Sequence, residues 1–194
     1  MKPAQTAILL VSAVALPLLA GSCSKPAAEA AQAAAPSTSA NDPIQSAMAA
    51  APAALGEHAT IVAVNADGSM TTLREGTNGW TCMPDNPQSP GPDPMCMDAN
   101  ALKWGMAWMK HEEPPKELPG IMYMLKGGSD ASNTDPFATQ PAADGKWVET
   151  GPHMMLVGTL AGLAGYPSGP NPDTTQPYVM WSGTPYAHLM LPVE

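Results

Sequence analysis

The chain has 194 residues, 44% hydrophobic and only 13% charged, against about 25% charged in an average soluble domain. Its 23 prolines and 17 glycines argue against a long helical bundle, because both residues break helices. A net charge of −9 with a pI near 4.7 argues against a nucleic-acid partner, since phosphate contacts require a basic face.

The N-terminus reads as an export signal over residues 1–22. Lys2 supplies the charged end, and Ala7 to Ala20 is an apolar run too short for the roughly 20 residues that span a bilayer but suited to a signal sequence. The stretch Leu19-Ala20-Gly21-Ser22-Cys23 resembles the lipobox of bacterial lipoproteins, which implies lipid on Cys23. It departs from that pattern in having Ala20 where leucine is usual, so cleavage by the ordinary signal peptidase after Ser22 is the alternative. The expected location is the cell envelope, periplasm-facing or on the outer surface. The membrane is then a partner through the N-terminal lipid anchor only.

Residues 23–41 are rich in alanine, proline and serine and have no large apolar residue, so they read as a linker. The globular part is expected over 42–194. Asp42-Pro43 reads as a helix start, with Asp as cap and Pro in the first turn, and an extension of the linker is the alternative. The short helix it opens should place Ile44, Ala47 and Met48 on one face and end before Pro52. Ala59 to Val64 and Met70 to Arg74 read as two strands of a hairpin around Asn65-Ala66-Asp67-Gly68. Trp80 to Met83 is a further short strand. Cys82 and Cys96 are the two cysteines left in an oxidising compartment, which predicts a disulfide. The loop between them holds Pro84, Pro87, Pro90, Pro92 and Pro94. The rival reading is a Cys/Met metal site, because Met83, Met95 and Met97 flank the cysteines.

The main helix is predicted over 99–112, capped by Asp98 and stopped by Pro114-Pro115. Leu102, Met106 and Met109 form one strip on it, and Trp104, Trp108 and His111 the adjoining one. Further strands are expected at Gly120 to Lys126, Trp147-Val148, His153 to Val157, Tyr178 to Trp181 and Ala187 to Val193. Long Gly/Pro/Asp loops separate them, chiefly 127–146 and 165–177. There is no convincing internal repeat; the short echo between the segments around His153 (Gly151 to Leu156) and His188 (Pro185 to Met190) fits two strands of similar role. The expected fold is α+β: a single domain with a mainly antiparallel sheet, one principal helix and one disulfide.

No enzyme signature is present: there is no GxSxG, HExxH, CxxC, P-loop or dinucleotide fingerprint. Methionine and histidine together suit Cu(I), but methionine also fills core space in a chain with one phenylalanine. His111, His153 and His188 are candidates for a converging metal or acid–base group; separately buried histidines are the alternative. Glu112, beside Glu113, sits at the helix end, where carboxylates oppose the helix dipole. A salt bridge to Lys116 also accounts for that cluster. Asp130, Ser132 and Asp135 in an oxygen-rich loop are candidate Ca²⁺ ligands, with Asx turns as the competing explanation. No particular cofactor, small ligand or protein partner follows from these residues.

Four blocks carry a resemblance: Arg74 to Asp85, Gly127 to Pro136, Gly151 to Met155, and Gly183 to His188. They resemble blocks of a family of exported bacterial proteins known only as hypothetical proteins, over residues 43–193. The resemblance implies one exported domain and brings no activity, cofactor or site residue. The resulting expectation is a cell-envelope lipoprotein acting as a non-enzymatic binding or structural module. The alternative is an enzyme or copper-binding protein with its site around His111, His153 and His188.

Overall fold

The computed structural model describes residues 42–193, apart from Glu117, Asp144 and residues 160–162. The expected signal, linker and Cys23 anchor lie outside the described residues. The structure is α+β, with a mostly antiparallel sheet, few helices and a Cys82–Cys96 disulfide.

Helix α1 (Pro43–Met48) starts as Asp42 predicts: its carboxylate accepts the Ile44 N–H at 2.9 Å. A second short helix, α2 (Ala53–Gly56), follows. Strands β1 (Thr60–Val64) and β2 (Met70–Arg74) form the expected antiparallel hairpin. Arg74 closes it onto α2 by donating to the Gly56 and Ala59 carbonyls, both at 2.8 Å. Strands β3 (Thr81–Met83) and β4 (Met95–Met97) are also an antiparallel pair, with Cys82 directly opposite Cys96. This register brings the two thiols together and makes the flanking methionines neighbours rather than thiolate co-ligands.

Helix α3 (Ala99–Met109) is capped by Asp98, which accepts the N–H groups of Asn100 and Ala101 through one oxygen and that of Ile121 through the other. It ends three residues before the predicted Glu112. His111 takes a left-handed φ of +57°; its N–H bonds the Trp108 carbonyl and the Glu112 N–H bonds the Ala107 carbonyl. That is a Schellman stop with histidine in place of the usual glycine. The buried face also differs from the expected strip. Ala101, Trp104, Gly105 and Ala107 are buried, whereas Leu102, Met106 and Met109 are half-buried. Small residues let the helix lie close to the sheet: a side chain at Gly120 would strike the Ala101 backbone, and Gly105 faces Met97 and Met122.

The other strands are β5 (Gly120–Met124), β6 (Gly128–Asp130), β7 (Val148–Thr150), β8 (His153–Val157), β9 (Tyr178–Met180) and β10 (His188–Pro192). Strand β6 falls inside the predicted 127–146 loop, where its pairing with β7 overrides the local turn composition. The eight-stranded sheet runs β2-β1-β3-β4-β5-β8-β10-β9, antiparallel except for β1 beside β3.

Directly opposed residues share a sheet face. One face carries the row Met97, Met122, Met155, Met190, Tyr178 across β4, β5, β8, β10 and β9. Helix α3 covers this face, and Trp104, Trp181 and Tyr186 join its core. The opposite face carries Ile61, Cys82 and Cys96, packed under Ala47, Ala50 and Ala51.

Candidate functional site

The methionine face holds two histidines. His153 stands opposite Met124 on β5, and His188 opposite Met180 on β9. Both are 1% exposed. Each ring is fixed in the same way. His153 Nδ1 lies 2.7 Å from the Gly151 carbonyl, and His188 Nδ1 lies 2.9 Å from the Tyr186 carbonyl. A carbonyl can only accept, so both Nδ1 atoms carry the proton and both Nε2 atoms keep a lone pair. Neither buried Nε2 has a hydrogen-bond partner.

Burial disfavours the charged imidazole at both positions. His153 is pushed below its ordinary value, and His188 is pushed down to about 4, with a smaller contribution from the charge of His153. Both are therefore neutral bases at neutral pH. His188 meets the edges of Trp104 and Trp181, at ring-centre distances of 5.3 and 4.9 Å. Trp181 stacks on Trp104 and Trp108. Its φ of +55° is strained for a bulky residue. Its indole N–H bonds the Ser132 carbonyl at 3.0 Å and its backbone N–H the Asn133 carbonyl at 2.8 Å.

His111 does not join this pair. It is exposed and stacks on Phe137 at 3.9 Å. Glu112 is exposed as well, and its carbonyl accepts the Tyr186 hydroxyl at 2.7 Å. Glu113 pairs with Lys116 at 2.8 Å, the salt bridge considered for this cluster. The oxygen-rich loop holds the turn hydrogen bonds of the competing explanation. Ser132 accepts the Thr134 and Asp135 N–H groups, and Asp135 accepts that of Phe137. Asp130 lies apart in β6. Burial first, and the Asp93 charge second, raise its carboxyl to about 7. Among the described residues, no three His, Cys, Asp or Glu side chains are grouped to hold a metal.

A separate cleft of about 850 Å³ is lined by Glu113, Lys116, Tyr166, Ser182 and Thr184 among others. It contains none of the candidate residues. Sequence reasoning missed Met155, Met190 and Trp181 as neighbours of the histidines. The signal available for the two methionines was the faint echo between the His153 and His188 segments. Comparison of the chain with protein-family models, curated proteins and solved structures finds no match.

Proposed function

We propose that this protein is an exported, lipid-anchored binding module of the cell envelope, working without catalysis. In this reading residues 42–194 form one domain with long Pro/Gly loops, held off the membrane by the 23–41 linker. One observation carries the binding function: two buried imidazoles each present an unpartnered Nε2 to the apolar interior. An unsatisfied buried acceptor costs about 1–3 kcal/mol. Two of them, fixed identically at Nδ1, are costly in a core whose only role is packing and are expected where a ligand completes them.

The alternative of an enzyme built on His111, His153 and His188 finds less support, because the exposed His111 is spent on the helix stop. The test is native mass spectrometry of protein released gently from its own envelope, with Cys23→Ser for comparison. The expected result is a stoichiometric non-covalent mass on the polypeptide, and loss of membrane association in the variant. A bare polypeptide would remove the binding reading, and unchanged fractionation of the variant would remove the anchor.

A further inference from the structure

The sheet face turned away from α3 is apolar where water should meet it. Residues alternate between faces along a strand, so Val179 and Leu189 point away from the covered Tyr178, Met180 and Met190. Val179 stands opposite Leu189, Leu189 opposite Leu156, and Leu156 opposite Ile121. That row crosses four strands, about 14 Å. Met154 and Leu191 face each other in the next row. An antiparallel sheet with one face in water normally sets polar residues there. Here Ile121, Met154, Leu156 and Leu191 are apolar and only half-buried. Helix α1 packs over a different part of this face, at Ile61, Cys82 and Cys96.

The 850 Å³ cleft adjoins that row, because Val179, Ala187 and Leu163 line it and belong to the same apolar cluster as Leu189 and Leu156. Its walls are pinned by hydrogen bonds. The Tyr186 hydroxyl donates to the Glu112 carbonyl at 2.7 Å, tying the Pro114-Pro115 wall to the Ser182–Pro185 wall. The Val179 N–H donates to the Pro167 carbonyl at 2.8 Å, fixing the wall that holds Tyr166. The Ser182 wall leaves β9 through the left-handed Trp181, whose carbonyl accepts the Thr184 hydroxyl at 2.7 Å. Strain of this kind concentrates at ligand clamps. A side chain at Gly165 or Gly183 would meet nothing within 4 Å, so the walls leave the space between them open.

We propose that the cleft and the apolar row beside it bind one uncharged amphiphile, a single alkyl chain on a hydroxylated head group. The site goes beyond the histidines of the binding-module reading, since neither His153 nor His188 lines it. Its volume lies within the roughly 300–1,000 Å³ of small-molecule sites. The two rows cover an area on the order of 14 by 10 Å, far below the roughly 800 Å² each partner buries in a stable protein complex. That favours a small guest over a second chain. The floor takes the alkyl chain by burial alone. At the rim, Lys116 is paired with Glu113 at 2.8 Å, and no other lysine or arginine lines the cleft among the described residues. The chain as a whole carries −9, which repels an anionic head. Ser168, Ser182 and Tyr166 supply hydroxyls at the walls, which both donate to and accept from a hydroxylated head.

The test is calorimetric titration of the full chain carrying Cys23→Ser, which keeps any acyl group off its own N-terminus. The probes are octyl and decyl glucoside below their micelle thresholds, with glucose and decanoate for comparison. One glucoside per chain is expected, with affinity rising up to about fourfold per added methylene. Glucose should not bind, and decanoate should bind at least about tenfold more weakly than decyl glucoside, for want of a free cation. Leu156→Thr keeps a strand-forming residue and should weaken decyl glucoside at least about tenfold by removing apolar floor. Leu73→Thr, at an exposed leucine of β2, should leave affinity within about twofold, as expected for a distant position. Thermal melts establish that both variants fold. A photoreactive decyl glucoside should label wild-type protein around Leu163, Val179 and Leu189, a readout that needs no variant. Absence of saturable glucoside binding overturns the site. So does equal binding of glucose or decanoate, equal loss in the two variants, or labelling confined to other segments. A protein that carries a stoichiometric native ligand but takes up no glucoside overturns this inference and leaves the binding-module reading in place.

Discussion

The two faces of the large sheet are closed by different physics. Under α1 the fully buried side chains are mostly small, with Met48, Trp80 and Tyr123 packed at the margin, and a covalent bond joins β3 to β4: Ala47, Ala50 and Ala51 pack over Ile61, Cys82 and Cys96. Under α3 the side chains are long or broad: methionines, stacked indoles and two imidazoles. On the first face the disulfide contributes by restricting the unfolded chain. The second is held by dispersion contacts of large, adaptable groups. The two buried histidines lie on the face of large, adaptable side chains, and the disulfide lies on the other.

The largest expected effect is on the helix-covered face. Trp104→Ala should cost about 3–5 kcal/mol, the usual range for emptying a buried aromatic site. Urea unfolding should show a lower midpoint with an unchanged slope, because the loss is in the native state. A loss under 1 kcal/mol would show that the indole stack does not hold this face.

Removing the disulfide by Cys82→Ala/Cys96→Ala should cost about 3 kcal/mol on the loop-entropy estimate. This change acts through the unfolded chain, so the denaturant slope should rise as that chain expands. If the two variants change midpoint and slope alike, the contrast between the faces fails.

Asp130 gives a pH-dependent effect. Its carboxyl is raised from 3.8 to about 7, so the folded state favours the protonated form. Between those values the folded protein binds more protons than the unfolded chain, and stability falls as pH rises. Asp130→Asn should therefore stabilise at pH 7.5, by about 1–3 kcal/mol for a half-buried group, and have almost no effect near pH 3.5. His153 and His188 act with the opposite sign: their folded values lie below 6.5, so their contribution is lost as pH falls below that point. Chemical denaturation of wild type and Asp130→Asn across pH 3.5–7.5 separates the two trends. A constant difference across the range would contradict the assignment.

The smallest effect lies at the rim. His111→Ala removes the stack on Phe137 and leaves a non-glycine residue in the left-handed stop, so it should cost about 1 kcal/mol. Ligand uptake should be unchanged. A large fall in uptake would return His111 to the site and undo the division drawn here.

Much of the local architecture was legible in the residues. Asp42 and Asp98 cap their helices as their positions before Pro43 and Ala99 imply, because a cap depends on two or three neighbouring N–H groups. The β1–β2 hairpin could be read because its turn residues are contiguous with its strands. The α3 stop could not be read so directly, because the Schellman turn uses histidine where glycine is usual. Strand β6 was hidden because its partner β7 lies across a long loop of turn-forming composition. That His153 and His188 share the buried, helix-covered face while His111 is exposed was decided only by the tertiary structure. Along a strand, alternation tells which residues share a face, and that much is local. Which strands lie side by side, and in which register, is set by packing between segments more than 30 residues apart. The His-x-Met segments could be seen as an echo, but only the antiparallel pairing of β8 with β10 sets Met155 against Met190 and puts both histidines on the helix-covered face.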